Sequence, residues 1–251
     1  MNKGEQNYIF GIRPIIEAIE SGKTIDKLFI QKGLHNDLFT ILWKLVRVKR
    51  INYNHVPLEK INRLTKKNHQ GVFAFISPIA FHNIEDLLPT LYEKRKTPLI
   101  LVLDRITDIR NFGAIARTAV CAGVDTILIP EKNAAANNAD AIKTSAGALH
   151  SINVCRPWNM KLALQFMKDS GVQIIACTEK TQNNIYKPNY TLPSAIIIGS
   201  EENGISKELL QISDIKAKIP MYGKIDSLNV SVATGVILYE AIKQRNNSPL
   251  I

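Results

Sequence analysis

The chain has 251 residues, 45% of them hydrophobic and 22% charged, with a formal net charge of +10. That length buries well over half of the unfolded surface, and the composition is that of a soluble globular protein. The only cysteines, Cys121, Cys155 and Cys177, form no C-x-x-C pair and the five histidines are scattered, which excludes a disulfide framework and a zinc ribbon.

The first elements alternate in type. "GIRPIIEAIESG" predicts a helix closed by Gly22, and "IDKLFIQ" a strand. In "NDLFTILWKLVRVKR" the apolar residues Leu38, Ile41, Leu42, Leu45 and Val46 keep helical spacing behind Asn36, a cap candidate. "INYNHV" predicts a strand, "LEKINRLTKK" a basic helix and "GVFAFIS" a further strand, giving an α/β unit over residues 1–78. Residues 79–97 combine a helix with a basic patch and are expected to link two domains. The first 96 residues hold 16 Lys/Arg against 9 Asp/Glu, or +7, whereas the remainder hold 16 against 13, or +3. Such a basic module suits a polyanion, most simply nucleic acid; a solubilising surface is the plainer alternative.

From residue 98 the pattern changes. "PLILVLD", "TILIP", "INVCR", "VQIIACT", "AIIIGS" and "AKIP" are continuous apolar runs with helical segments between them, which predicts a parallel sheet covered on both faces over 98–251. "EKNAAANNAD" is expected to be a loop. No apolar run reaches the roughly 18 residues of a membrane-spanning helix, and "MNKGEQNYIF" lacks the apolar core of a signal peptide, so the protein is expected in the cytoplasm.

"SGKT" at 21–24 is not a phosphate loop, because Glu17 stands where that motif requires glycine. The dinucleotide fingerprint and the nucleophile elbow are also missing. An open parallel sheet nevertheless binds ligands at the carboxyl ends of its strands, and three polar clusters fall there. In the first, "DRITDIRNFGAIARTAVCAG", Asn111 is a cap candidate and Arg117 interrupts a small, apolar helix face. In the second, "IIIGSEENGIS", Gly199 ends a strand, Glu201 and Glu202 occupy a turn closed by Gly204, and Ser206 can cap the next helix. In the third, "IPMYGKIDSLNVSVATGVILYEA", a strand ends at Pro220 and Ser227 and Asn229 precede a helix starting near Val230. Singly, these clusters also fit ordinary caps and surface charge.

Taken in order, N-x-G-x-x-x-R, G-x-E-x-x-G and I-P-x(6)-S-L-N-V-S resemble the three signature motifs of the SpoU (TrmH) family of RNA ribose 2′-O-methyltransferases. "KTSAGALH" at 143–150 is similar to a further family segment, with His150 in place of an acidic residue. "YIFGIRPIIEAI" and "KKNHQGVFA" resemble the family's substrate-binding domain, which is similar to ribosomal protein L30e. The two-part arrangement looks most like the 23S rRNA (guanosine-2′-O-)-methyltransferase branch.

The resemblance implies a trefoil-knotted α/β fold, a homodimer, no metal, and S-adenosylmethionine bound near Thr178, Gly199, Ile219 and Leu228. It implies Arg117 as the central catalytic residue, with Asn111, Glu201, Ser227 and Asn229 around it. Arginine stays protonated in proteins, so Arg117 is expected to fix a phosphate and stabilise the developing alkoxide. Glu201 is expected to orient Arg117 or Asn111, and Gly199 to let the adenosyl group lie on bare backbone. A tRNA substrate and a non-catalytic RNA-binding role remain alternatives.

Overall fold

The computed structural model describes residues 8–49, 51–94, 96–134, 139–224 and 227–247. They divide largely into two compact units, one up to Ala80 and the other from Phe81 onward. The first holds strands β1 (Tyr8–Phe10), β2 (Ile25–Gln31), β3 (Tyr53–Val56) and β4 (Val72–Ile76) in the order β1-β4-β2-β3. β2 runs parallel to β3 and antiparallel to β4. Alternation along β2 sends Leu28 and Ile30 into the main core, against helices α1 (Ile12–Glu20) and α2 (Asp37–Val48). Phe29 points the other way, toward Ile61 of α3 (Leu58–Leu64). As expected, Asn36 caps α2 by accepting from the Phe39 N–H at 2.7 Å. Gly22 takes the left-handed turn after α1 at φ +78°. β1 is an addition to the predicted elements.

The second unit is built on seven parallel strands in the order β11-β9-β10-β6-β7-β8-β5. They are β5 (Phe81–His82), β6 (Leu99–Asp104), β7 (Thr126–Leu128), β8 (Asn153–Cys155), β9 (Gln173–Cys177), β10 (Ser194–Gly199) and β11 (Ile215–Ala217). β6 and β10 occupy the middle, and every residue of β6 is buried. Both faces are apolar because both are covered, as the continuous Val/Ile/Leu runs require. Ile100, Val102, Ala195 and Ile197 pack with residues of α4 (Ile84–Glu93), α7 (Met160–Asp169) and α8 (Lys207–Ile212). α5 (Ile109–Cys121) packs against α9 (Val230–Asn247), which in turn contacts β10.

The segment expected as a linker, 79–97, is instead partly built into this unit. It contributes β5 and α4, Ile84 and Leu88 lie in the core, and the Tyr92 hydroxyl donates to the Ser170 carbonyl at 3.0 Å. Of the expected loop at 131–140, residues 131–134 are irregular, 135–138 lie outside the described residues, and α6 (Ala139–Thr144) follows.

Arg245, within a polar run that resembles a solvated helix end, fastens α9 to the start of the sheet. Its guanidinium donates to the carbonyls of Tyr190 (2.8 Å), Thr97 (2.7 Å), Pro98 (3.1 Å) and Leu192 (3.1 Å). One planar fork thereby satisfies four acceptors just before β6 and β10.

Gly113 marks the closest helix approach. A Cβ there would stand 2.6 Å from Thr144 Cβ and 3.0 Å from the Ser145 nitrogen. Gly→Ala inside a helix ordinarily favours folding by about 1 kcal/mol. Here overlap should reverse the sign, and Gly113→Ala is expected to lose roughly 1–3 kcal/mol. The midpoint of urea unfolding measures this directly; a rise in midpoint would contradict the packing described.

Candidate active site

Parallel pairing brings four strand ends to one level. Gly199 of β10 is in register with Asp104 of β6, Ile198 with Cys177 of β9, and Cys177 with Ala217 of β11. The segments that leave these ends carry most of the polar residues singled out in the sequence.

Three of those residues bond to one another. Oε1 of Glu201 accepts from the Asn111 amide at 3.1 Å, the Asn229 amide at 2.8 Å and the main-chain N–H of Val230 at 3.2 Å. The Asn229 amide also donates to Oδ1 of Asn111 at 3.1 Å, closing a ring of three side chains. Asn229 Oδ1 accepts from the main-chain N–H of Ser231 at 3.0 Å, which fixes its amide orientation. Asn111 is not the helix cap expected for it. Asp108 caps α5 by accepting from the Asn111 N–H at 2.7 Å, so the Asn111 side chain is available to Glu201.

The turn that presents Glu201 depends on Gly199 and Gly204. A Cβ on Gly199 would overlap main-chain atoms of Gly204 and Ile205, so the space beside Gly199 is filled by the protein's own backbone. The expected reason for this glycine, bare backbone for a ligand, is therefore not its first role. Gly204 adopts φ +61°, its N–H donates to the Ser200 carbonyl at 2.9 Å, and Ser200 Oγ accepts from the Asn203 N–H at 3.2 Å.

Two residues that the motif reading passed over anchor this turn from β6. The buried carboxylate of Asp104 accepts from the Ser206 N–H at 2.6 Å, and Arg105 donates to the Gly204 carbonyl at 3.1 Å while pairing with Asp104 at 3.3 Å. Ser206 does stand at the cap position of α8, but without a side-chain cap bond. The signal for Asp104 and Arg105 was present as a charged pair ending an apolar strand. Glu202 is exposed.

The other candidates stand apart from the ring. Arg117 lies six residues beyond Asn111 on α5, about 9 Å along the axis and about 240° around it. It is exposed, and among the described residues it has no hydrogen-bond or ion-pair partner. Glu201 thus orients Asn111 and not Arg117. Thr178 is buried after β9, donating its N–H to the Ala217 carbonyl at 2.9 Å. Ser227 and Leu228 are exposed and Ile219 is half-buried. The main-chain N–H groups of Ile219, Met221 and Leu228 have no partner among the described residues.

Burial, reinforced by Glu179, pushes the Cys177 thiol up to about 12, so it is not a thiolate nucleophile near neutral pH. No group of three or more metal-ligating side chains occurs among the described residues. No helix among them is long and apolar enough to cross a membrane.

Removing the Asp104 carboxylate leaves the Ser206 N–H without its acceptor. Asp104→Ala is expected to lower stability by about 1–3 kcal/mol, whereas Glu202→Gln should stay within about 0.5 kcal/mol of the parent. Denaturant titration of both variants checks the contrast.

Comparison with known proteins bears on these segments. Residues 98–239 match the family model described as the SpoU rRNA Methylase family. Residues 8–82 match one described as RNA 2′-O ribose methyltransferase substrate binding. A Staphylococcus saprophyticus protein named "Putative TrmH family tRNA/rRNA methyltransferase" is 33% identical over 242 residues, covering 96% of this chain and 97% of the relative. Among solved structures, the SpoU methyltransferase AviRb from Streptomyces viridochromogenes, in complex with its cofactor AdoMet, superposes with a TM-score of 0.62. It is 23% identical and covers 98% of this chain and 95% of its own. The A. aeolicus TrmH/SpoU tRNA modifying enzyme is 36% identical with a TM-score of 0.55, covering 65% of this chain and 84% of its own.

Proposed function

Because the chain belongs to the SpoU rRNA methylase family, we propose that it transfers a methyl group from S-adenosylmethionine to a ribose 2′-hydroxyl of RNA, at a guanosine of 23S rRNA. The observation that carries this reading is the Asn111–Glu201–Asn229 ring, which joins three distant polar segments at the carboxyl edge of the sheet. A pure binder has no need of three such segments locked to one another.

The residues present fit the donor. The segment after β11 offers main-chain N–H groups at Ile219 and Leu228 that have no partner among the described residues, beside the exposed apolar side chain of Leu228. Thr178, Gly199, Ile219 and Leu228 would hold S-adenosylmethionine, with Gly199 acting through the turn it permits. When bound, that group supplies an electrophilic methyl on a sulfonium whose sulfur keeps the bonding pair on displacement.

The chain's task is to position a weak nucleophile and stabilise the charge it develops. Arg117 is a permanent cation with no carboxylate partner among the described residues, and it fixes the neighbouring phosphate and stabilises the alkoxide as the proton departs to water. Asn111, Glu201, Ser227 and Asn229 shape the polar cradle.

Several broader features belong to the same reading. The unit that ends near residue 78 is an L30e-like module that delivers RNA, and the chain from about residue 98 is knotted. The protein works in the cytoplasm, where its three free thiols suit reducing conditions. It acts as a homodimer. Val232, Val236 and Tyr239 form an exposed stripe on α9 at i, i+4 and i+7, apolar surface suited to a second copy. A tRNA substrate is the second reading, favoured by the 36% identity to the A. aeolicus tRNA modifying enzyme. Mapping 2′-O-methyl sites in rRNA and tRNA from cells with and without this protein decides between them.

Arg117→Ala is expected to reduce methyl transfer at least about 100-fold, with unfolding and S-adenosylmethionine binding unchanged. Single-turnover transfer together with calorimetry tests it, and near-normal turnover would return Arg117 to an ordinary surface role. Val236→Lys should shift the protein toward monomer in light scattering; a parent that is already monomeric would remove the dimer from this reading.

A further inference from the structure

The four-stranded sheet of the first unit has one face that its helices cover only in part. α1 and α2 take the opposite face. On the partly covered face two cross-strand rows line up. The inner one is Phe10–Phe73–Phe29 and the outer one is Tyr8–Phe75–Lys27. Ile61 of α3 packs with Phe29 and Phe73 and closes off the inner row at one side. Tyr8 lies stacked on Phe73, with ring centroids 5.2 Å apart and planes 20° from parallel, yet remains 45% exposed. Phe10 and Phe75 are half-buried.

Three lysines surround these rings. The Lys27 and Lys60 ammonium groups stand 5.3 and 5.2 Å from the Phe29 ring centre, and that of Lys67 stands 5.9 Å from Phe10. None of the three is in an ion pair among the described residues. The loop that carries Lys67 is knit to its surroundings. His69 Nδ1 accepts from the Gly71 N–H at 3.0 Å, so Nε2 donates to Asn62 Oδ1 at 2.8 Å. Gln70 in turn accepts from the Ile12 N–H at 3.0 Å. Lys67 is therefore carried beside the Phe10 ring by an anchored loop.

We propose that this face binds single-stranded RNA, with unpaired bases stacking on Tyr8 and Phe75 and the phosphates passing Lys27, Lys60 and Lys67. An exposed aromatic ring offers a π-surface to any base, and unpaired ammonium groups complement the backbone charge. Duplex RNA keeps its bases stacked internally and has none to offer such a platform. The proposal rests on the reading of this protein as an RNA methyltransferase and names the form of RNA that its first unit engages.

The test uses the full chain and a labelled 12-nucleotide single-stranded RNA, with a duplex of the same sequence for comparison. The parent should favour the single strand. Tyr8→Ala should weaken that binding by roughly five- to 150-fold, the loss of one stacked base, while Tyr8→Phe should retain it. Should Tyr8→Ala unfold, the exposed triple change Lys27→Gln/Lys60→Gln/Lys67→Gln carries the test. It should reduce the slope of log affinity against log salt by about 2, at about 0.7 per contact. Unchanged affinity and slope in these folded variants, or preference for the duplex, overturns the proposal. Methyl transfer to RNA is measured in parallel. An active parent whose Tyr8→Ala variant binds normally removes this surface and leaves the enzyme. An inactive parent whose binding depends on Tyr8 removes the enzyme and leaves this surface.

Discussion

One carboxylate oxygen holds the candidate site together. Oε1 of Glu201 receives N–H donors from the side chains of Asn111 and Asn229 and from the main chain of Val230. Val230 is the first residue of α9, where a main-chain N–H has no partner inside its own helix and the helix dipole favours negative charge. The same charge therefore caps one helix and aligns two amides, and hydrogen bonds to an ionised acceptor exceed neutral ones in strength. An amide in place of the carboxylate would bring two more donors into a cluster that already supplies them. Glutamate suits this position better than glutamine for that reason.

Everything behind Glu201 serves to keep that oxygen in place. The turn from Ser200 to Gly204 folds back on Gly199 because no side chain intervenes there. Asp104 and Arg105 grip the far side of the turn from the neighbouring strand. Their reach is possible because β10 lies directly beside β6, with Gly199 level with Asp104. A slip of one residue would turn every apolar side chain of β10 to the opposite face, which both covered faces of the sheet resist. At the other end of the same strands, Arg245 ties α9 to Pro98 and Leu192, so the helix that carries Asn229 at its start is fixed at its finish.

Much of this was legible from the sequence, and the gaps have physical causes. Long apolar runs such as 99–104 and 194–199 announce buried parallel strands because burial on both faces leaves no room for alternation. β1 and β5, three and two residues long, exist only through their partners and carry no periodicity of their own. Asp108 and Asn111 are both preferred cap residues, so local chemistry could not choose between them; the choice follows from Glu201, ninety positions away in the chain. Gly199 was recognisable as a required glycine, but the object it accommodates was not, because that object is backbone five and six residues later. Asp104, Arg105 and Arg245 act through contacts across 53 to 148 positions, beyond any local pattern.

The partition of charge between Glu201 and Arg117 has a consequence for chemistry on a polyanion. Had Glu201 paired with Arg117, an approaching phosphate would first have to displace a carboxylate and would meet a site already neutralised. Glu201 is instead satisfied by neutral donors, so its charge is spent on architecture and Arg117 keeps its own. A guanidinium loses its proton only under extreme desolvation, and an exposed one is not desolvated. In the proposed transfer its value to the hydroxyl is therefore as a fixed positive field and a fork of donors, not as a proton acceptor. A ring of amides and carboxylate that is closed on itself, with an unpaired cation further along the helix that carries Asn111, separates the fixing of geometry from the meeting of charge, which lets each be rigid or responsive without compromising the other.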